Sequence, residues 1–411
     1  MGCSLPVRLA VVGGGRGGAF NGVADAMPDR LQVSAVCDSD EAVLDRWRTS
    51  RPSIRTFARY EDMLGEADAD AVYVATPPDL HAQQSMLALG AGKHVLSEVF
   101  AATTVEECWA LVESAKQAPG LVYMMAENDC YTRPNMMVLN MVRCGLFGEA
   151  TYAEGGYLHD CRSIILDERG ELTWRGLLYS DAHGGNWYPT HSLGPVAQWL
   201  GMGRTDAFDS AATFATRAEG AWRYVSERLG AGHPLASPRA MAGPDSVTTV
   251  IATRRGCVVV LRLDVASSRP HNTVHYALQG TRGSYLSERW AGESPLVWID
   301  GLSHGHSPAG TAEWQALWEL AGEYEHPLWR ESGHQAEAGS HDGADCLTIL
   351  DFVKAVSEGT APPIDVYDAA EWSAVVDLSR QSVRQGGSPV PFPRFRPEPT
   401  PTGNPPQLRL H

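Results

Sequence analysis

The sequence predicts an α/β protein: an N-terminal doubly wound parallel sheet, then a C-terminal α+β domain on a large, mostly antiparallel sheet. Three observations predict it. Short apolar runs alternate with helical patterns over the first 128 residues, a glycine-rich turn follows the first run, and longer alternating runs take over after Asn128. Strands alternating with helices argue for parallel crossover units. Strands covered on both faces read as continuous apolar runs, whereas a half-covered antiparallel sheet alternates.

The N-terminal runs lie at 5–12, 31–37, 71–75, 94–96 and 121–125. Helical periodicity fills the gaps at 19–27, 41–48, 80–89 and 105–116. Beyond them, 134–144 reads as a helix ended by Gly145. Strand-like runs follow at 150–157, 211–216, 247–253, 258–265 and 274–278. Helices at 192–200, 346–356 and 369–380 would cover one face of the sheet they form. The segments 160–186, 217–245 and 301–339 read as long loops, a length usually tied to function or disorder. From Gly386 onward prolines accumulate, so the end reads as an extended tail that wraps the surface or hangs free. The expected division is therefore 1–128 for the parallel-sheet domain, 129–385 for the α+β domain, and 386–411 for the tail.

With 411 residues, 44% of them hydrophobic, the chain can bury a sizeable core. A net charge of −16 argues against a broad basic surface for nucleic acid or anionic membrane. The eight cysteines show no C-x-x-C pair and read as reduced thiols. The first ten residues read as a strand rather than a signal peptide, and no run approaches membrane-spanning length. The expectation is a soluble cytoplasmic protein.

Gly13-Gly14-Gly15-Arg16-Gly17-Gly18 fits G-x-G-x-x-G after a predicted strand and before a predicted helix, the Rossmann context. Gly13 would permit the tight turn, Gly15 the approach of a pyrophosphate, and Gly18 close helix–strand packing. Asp38 ends the second strand, where a carboxylate accepts hydrogen bonds from a ribose diol and repels a 2′-phosphate, favouring NAD over NADP. Thr76-Pro77 and His81 follow the third run and are expected on the nicotinamide side of the site.

The chain resembles the Gfo/Idh/MocA family of dinucleotide-dependent sugar and cyclitol oxidoreductases. The likeness is carried by the glycine loop, Ala75-Thr76-Pro77, Gly92-Lys93-His94-Val95-Leu96-Ser97-Glu98, Gly148-Glu149, Gln279-Gly280-Thr281-Arg282-Gly283 and Ile364-Asp365-Val366-Tyr367-Asp368. Ordinary dehydrogenases of that family carry Glu-Lys-Pro where this chain has Glu98-Val99-Phe100, so the lysine that helps deprotonate the oxidised hydroxyl is missing. Two further blocks, Met124-Met125-Ala126-Glu127-Asn128-Asp129-Cys130-Tyr131 and Asn186-Trp187-Tyr188-Pro189-Thr190-His191-Ser192, are similar to the NAD-dependent glycosidases of glycoside hydrolase family 109. That resemblance implies NAD contacts at Arg16, Gly17, Asp38, Glu98, Val99 and Asn128. It implies substrate contacts at Tyr157, Arg175, Tyr188 and His191, with Glu127 in the same site. His271 stands where the family's sugar-contacting tyrosine would be, so the sugar need not be the family's N-acetylgalactosamine.

The residues make chemical sense beside the resemblance. Tyr188 and His191, three apart, can share a face where a helix begins, and histidine accepts a hydroxyl proton near neutral pH. His159-Asp160-Cys161 is contiguous and lacks partners at ligand spacing, so no metal is expected. The reading is an NAD-dependent glycosidase that works by transient oxidation at C3, elimination, water addition and re-reduction. His191, Tyr188, Tyr157 and Glu127 are its catalytic candidates. The alternatives are a sugar or cyclitol dehydrogenase and a non-catalytic NAD-binding regulator. The expected partner is a small glycoside or sugar, within a homo-oligomer formed through the C-terminal sheet.

Overall fold

A computed structural model describes residues 5–180, 184–270, 273–290, 292–303, 313–336 and 341–397. The N-terminal sheet is six-stranded and parallel throughout, in the order β3-β2-β1-β4-β5-β6. Its strands are β1 (Val7–Val12), β2 (Leu31–Cys37), β3 (Arg55–Phe57), β4 (Ala71–Val74), β5 (His94–Ser97) and β6 (Tyr123–Met125). The central β4 is buried along its whole length, as a strand covered on both faces must be. The connecting helices are α1 (Asn21–Ala26), α2 (Glu41–Ser50), α3 (Tyr60–Glu66), α4 (His81–Gly90) and α5 (Val105–Gln117). Two start on side-chain caps: Asp40 for α2, and the reciprocal Thr104/Glu107 box for α5.

Helix α6 (Arg133–Arg143) leads into a nine-stranded sheet ordered β14-β13-β12-β11-β7-β10-β9-β8-β15. Its strands are β7 (Ala150–Leu158), β8 (Phe208–Ala215), β9 (Ser246–Thr253), β10 (Val258–Asp264), β11 (Thr273–Gly280), β12 (Gly283–Leu286), β13 (Leu296–Ile299), β14 (Gln315–Ala316) and β15 (Val390–Pro391). Only β7 and β10 pair in parallel. The remaining helices are α7 (Trp174–Ser180), α8 (Thr190–Leu200), α9 (Gly220–Leu229), α10 (Ala321–Tyr324), α11 (Pro327–Ala336), α12 (Ala344–Glu358) and α13 (Val366–Arg384). On one face α8 lies against β7, β10 and β11, while α13 spans from β8 to α5 and so ties the second sheet to the first. The opposite face carries exposed Phe214, Val250, Val258 and Leu286.

The differences from the sequence reading have local causes. β3 is a short edge strand with no buried residue, so no apolar run marks it. The segments expected as loops hold α7, α9, α10, α11 and β14; α9, for example, buries only Ala221 and Val225. The described part of the proline-rich end is docked. Val390–Pro391 pairs with β8, Phe392 and Phe395 are buried, and Arg396 makes two 2.9 Å bonds to Asp365, the cap of α13. Residues 398–411 lie outside the described residues. No helix among those described is long and apolar enough to cross a membrane.

Candidate active site

A cavity of about 640 Å³ opens at the carboxyl ends of the parallel strands, where open α/β sheets take their ligands. At one end lies the glycine loop. Gly13 has φ +90°, and a Cβ there would fall 2.4 Å from the Ala75 carbonyl oxygen, so both torsion and space require glycine. Gly15 faces open cavity, with nothing within 4 Å of its would-be Cβ. The close packing expected at Gly18 occurs instead at Gly17, whose Cβ would meet Val11 at 2.2 Å; at Gly18 the nearest atom is 3.6 Å away. Asp38 accepts from the Gly14 amide at 2.8 Å and the Asp40 amide at 2.9 Å, which anchors its carboxylate at the cavity edge.

The expected Thr76, Pro77, His81, Glu98 and Val99 line the same cavity. The His81 ring is wedged between the carbonyls of Phe100 (2.9 Å) and Thr76 (2.7 Å), joining the turns that follow β4 and β5. Glu98 accepts from Arg16 at 2.7 Å and from the Tyr73 hydroxyl at 2.5 Å. Arg16 also meets Asp345 of α12 at 3.2 Å, and Asn128 donates to the same carboxylate at 3.1 Å. Asn128 is absent from the lining and reaches Arg16 only through Asp345. Asp345 had no signal in the sequence reading; it lies 329 residues from Arg16. Open space at Gly15, the carboxylate at the far edge and the apolar Pro77, Pro78 and Val99 walls together fit a dinucleotide.

The cavity's other end is formed by Trp174, Arg175 and Tyr188. The Arg175 guanidinium stacks 4.4 Å from the Trp174 ring and 5.7 Å from the Tyr188 ring, and its Nη1 is buried with no hydrogen-bond partner. Tyr188 joins this end to an aromatic cluster. Its ring centroid lies 5.1 Å from Tyr157 and 5.0 Å from His191, and Tyr157 lies 5.3 Å from His191. Two glycines make the cluster possible. A Cβ on Gly155 would meet the Ser192 carbonyl oxygen at 1.9 Å, and one on Gly194 would meet Glu127 at 2.9 Å. They let α8 press against both β7 and the Glu127 turn.

His191 Nδ1 consequently donates to Glu127 at 2.6 Å, with Asp129 at 3.6 Å. The buried Glu127 keeps its second oxygen unpartnered. Tyr276 steadies the group from beneath by donating to the His191 carbonyl at 2.5 Å and to Asp129 at 3.3 Å. Burial alone would lower the His191 pKa, but the Glu127 and Asp129 carboxylates raise it well above the ordinary imidazole value. Burial pushes Asp129 up to about 6. Burial also raises the Tyr157 phenol. Glu127, Asp129 and His191 offer ligand atoms within 4.8 Å of one another, the one such grouping among the described residues, yet hydrogen bonds already engage all three. Asp160 is spent on Arg162, with bonds at 2.8 and 2.7 Å. His271 lies outside the described residues.

Comparison with known proteins agrees with this architecture. Residues 131–398 match the family model described as glycosyl hydrolase 109, C-terminal domain, and residues 7–126 match that of the oxidoreductase family, NAD-binding Rossmann fold. A glycosyl hydrolase family 109 protein of Solibacter usitatus is 36% identical over 402 residues, covering 95% of this chain and 88% of its own length. An alpha-N-acetylgalactosaminidase of Tannerella forsythia is 34% identical over 391 residues, covering 89% and 81%. In fold, the chain is similar to a levoglucosan dehydrogenase solved with NADH and L-sorbose, with a TM-score of 0.76 at 20% identity over 95% of this chain and 100% of that one.

The carboxylate pair around His191 makes a prediction that needs no substrate. Followed by NMR, His191 should titrate well above 6.5, the ordinary histidine value, and Glu127→Gln should bring it down. A wild-type His191 titrating at or below 6.5 would show that burial outweighs the two carboxylates.

Proposed function

The chain belongs to glycosyl hydrolase family 109, and from that premise we propose that it is an NAD-dependent glycosidase that cleaves a glycosidic bond by way of transient oxidation at C3. The observation that carries the proposal is one cavity running from a dinucleotide-type glycine loop, past a valine where sugar dehydrogenases of the wider family keep a lysine, to the Tyr188 edge of an aromatic cluster holding His191.

Gly13, Gly15, Arg16 and Asp38 would hold the adenosine and pyrophosphate, with Gly17 and Gly18 shaping the turn, and Thr76, Pro77, His81, Glu98 and Val99 would frame the nicotinamide end, with Asn128 acting on Arg16 through Asp345. A bound dinucleotide supplies reversible oxidation and reduction at C3 of the sugar. The chain's own side chains handle the protons. His191, oriented by Glu127, accepts the proton of the C3 hydroxyl. Because its pKa is raised in the resting site, His191 works as a base only from the fraction that has shed its proton, so the rate should climb as pH rises. The imidazolium that forms is stabilised by the same carboxylates. Tyr157 takes the C2 proton, made acidic by the neighbouring ketone; the C1 leaving group takes up a proton as it departs, water adds its hydroxyl at C1, and C2 receives a proton exchanged with solvent. Arg175 and Tyr188, at the cavity end beside this cluster, would grip the sugar. The paired carboxylates of conventional glycosidases are not needed.

The sugar-like substrate would be a small glycoside, and α-N-acetylgalactosaminides, the class named for the T. forsythia relative, are the first to try. The uncovered face of the nine-stranded sheet would join copies of the chain. Sedimentation should show a homo-oligomer, and Val250→Asp with Val258→Asp should dissociate it; a wild-type chain that is monomeric at all concentrations would refute this.

Asp38→Ala should weaken NAD binding by about 1–3 kcal/mol, the cost of losing charged hydrogen bonds; calorimetry that finds unchanged affinity would remove Asp38 from the site. The mechanism is tested at C2. Turnover in D₂O should leave deuterium at C2 of the released sugar, with no net NADH, and a 3-deoxy glycoside should be inert. His191→Ala should lower the rate about 10²–10⁴-fold, the usual worth of a general base. Cleavage with protium retained at C2 would exclude the elimination route, and NADH accumulating in step with product would make the chain a sugar dehydrogenase instead.

A further inference from the structure

We infer that His159 is the proton acceptor behind Tyr157, so that the base acting at C2 is a Tyr157–His159 pair rather than a lone tyrosine. This rests on the reading above, in which Tyr157 faces C2.

A lone Tyr157 is a poor base. It is 6% exposed and stacked among the rings of Tyr188 and His191, where burial opposes phenolate formation. A phenol held neutral can take a carbon-bound proton only if its own proton leaves in the same event. His191 cannot receive it, since in the reading above it already carries the proton of the C3 hydroxyl when C2–H breaks. His159 is well placed. Its Nδ1 lies 2.7 Å from the Tyr157 hydroxyl, and the two rings meet edge to face, with centroids 5.5 Å apart at 78°. Tyr157 lies in the last turns of β7 and His159 two positions on, so the twofold repeat of an extended chain turns both side chains to one face. The backbone amide of His159 is fixed to the Asp264 carbonyl at 2.8 Å, which holds the ring in place.

The transfer balances. The C2–H bond breaks and a phenol O–H bond forms; the original phenolic O–H breaks and an Nδ1–H bond forms on His159. The electron pair of the C2–H bond passes into the enolate of the C3 ketone. The departing C1 oxygen takes up one proton, the added water supplies the hydroxyl at C1, and reversal through Tyr157 gives C2 a proton that has exchanged with solvent. Nδ1 must therefore enter as the acceptor, with the proton of neutral His159 on Nε2. Two stations then serve two different protons: His191–Glu127 for the C3 hydroxyl, and Tyr157–His159 for C2.

The test isolates C2. NAD-loaded protein is given the 3-oxo form of the sugar in D₂O, and deuterium uptake at C2 is followed by NMR. His159→Gln keeps a side-chain acceptor for the Tyr157 hydroxyl but cannot take up its proton; Tyr157→Phe removes the base itself. His159→Gln should slow exchange about 10²–10⁴-fold. Nitrogen NMR of the wild-type protein, which needs no turnover, should find His159 Nδ1 unprotonated. Calorimetric NAD binding and melting curves should match wild type. If Tyr157→Phe stops exchange while His159→Gln keeps the wild-type rate, or if Nδ1 carries the proton, His159 is only a packing partner. If Tyr157→Phe leaves exchange untouched, Tyr157 is not the C2 base and the mechanism above fails with it.

Discussion

The site depends on how closely α8 can approach its neighbours. His191 rides on the first turn of that helix, Tyr157 on β7, and Glu127 on the turn after β6. They meet because Gly155 and Gly194 leave no Cβ between the three backbones. A methyl group at Gly155 would sit 1.9 Å from a carbonyl oxygen, and only movement of the helix could relieve it. Packed interiors do not absorb such a displacement locally. The Glu127–His191 bond and the aromatic cluster would therefore loosen together, although neither residue would have been altered.

Charge is placed with the same economy. Glu98 and Asp345 converge on Arg16 beside the cavity, and Glu127 and Asp129 converge on His191, which packs on Tyr188. A buried carboxylate is costly unless it is paired and hydrogen-bonded. Each group meets that requirement with a partner from a different part of the chain: Arg16 from the glycine loop with Asp345 from α12, and Glu127 from the turn after β6 with His191 from α8. These pairs thus fix the relation between the two sheets as well as the local electrostatics. The Arg16–Asp345 contact and the packing of α13 on α5 mean that the cavity's two ends are held by a continuous structure.

How much of this was legible in the sequence follows from the range of each interaction. The parallel sheet was legible because its apolar runs and glycine turn are local patterns. The broad plan of the second sheet was legible from alternation, but β12, β13 and β15 are short and lay beneath that signal. The residues gathered around Tyr188 were expected on the strength of resemblance, and their geometry is the structure's contribution. Asp345 was invisible, since nothing at position 345 announces a partner at position 16. His159 is different. It shares a face with Tyr157 by simple twofold periodicity, a signal the sequence carries, but the adjacent Asp160 and Cys161 point instead to a contiguous set of metal-type ligands.

Val99 shows why the proposed chemistry sits where it does. The residue is buried at the end of β5, beside a Glu98 carboxylate already occupied by Arg16 and Tyr73. A lysine there would add a second cation to a wall whose one buried acid is spoken for, and would depress its own pKa toward the neutral form by burial and by repulsion from Arg16. With valine the wall is electrostatically complete and apolar at that point, so it can shape a ligand but cannot accept its proton. In the proposed mechanism a proton released at the cavity would instead go to His191, where two carboxylates are arranged around one imidazole. In the proposed mechanism the apolar residue at position 99 and the acid crowded around His191 complement one another, and proton acceptance would lie on a helix of the second sheet rather than on the parallel sheet.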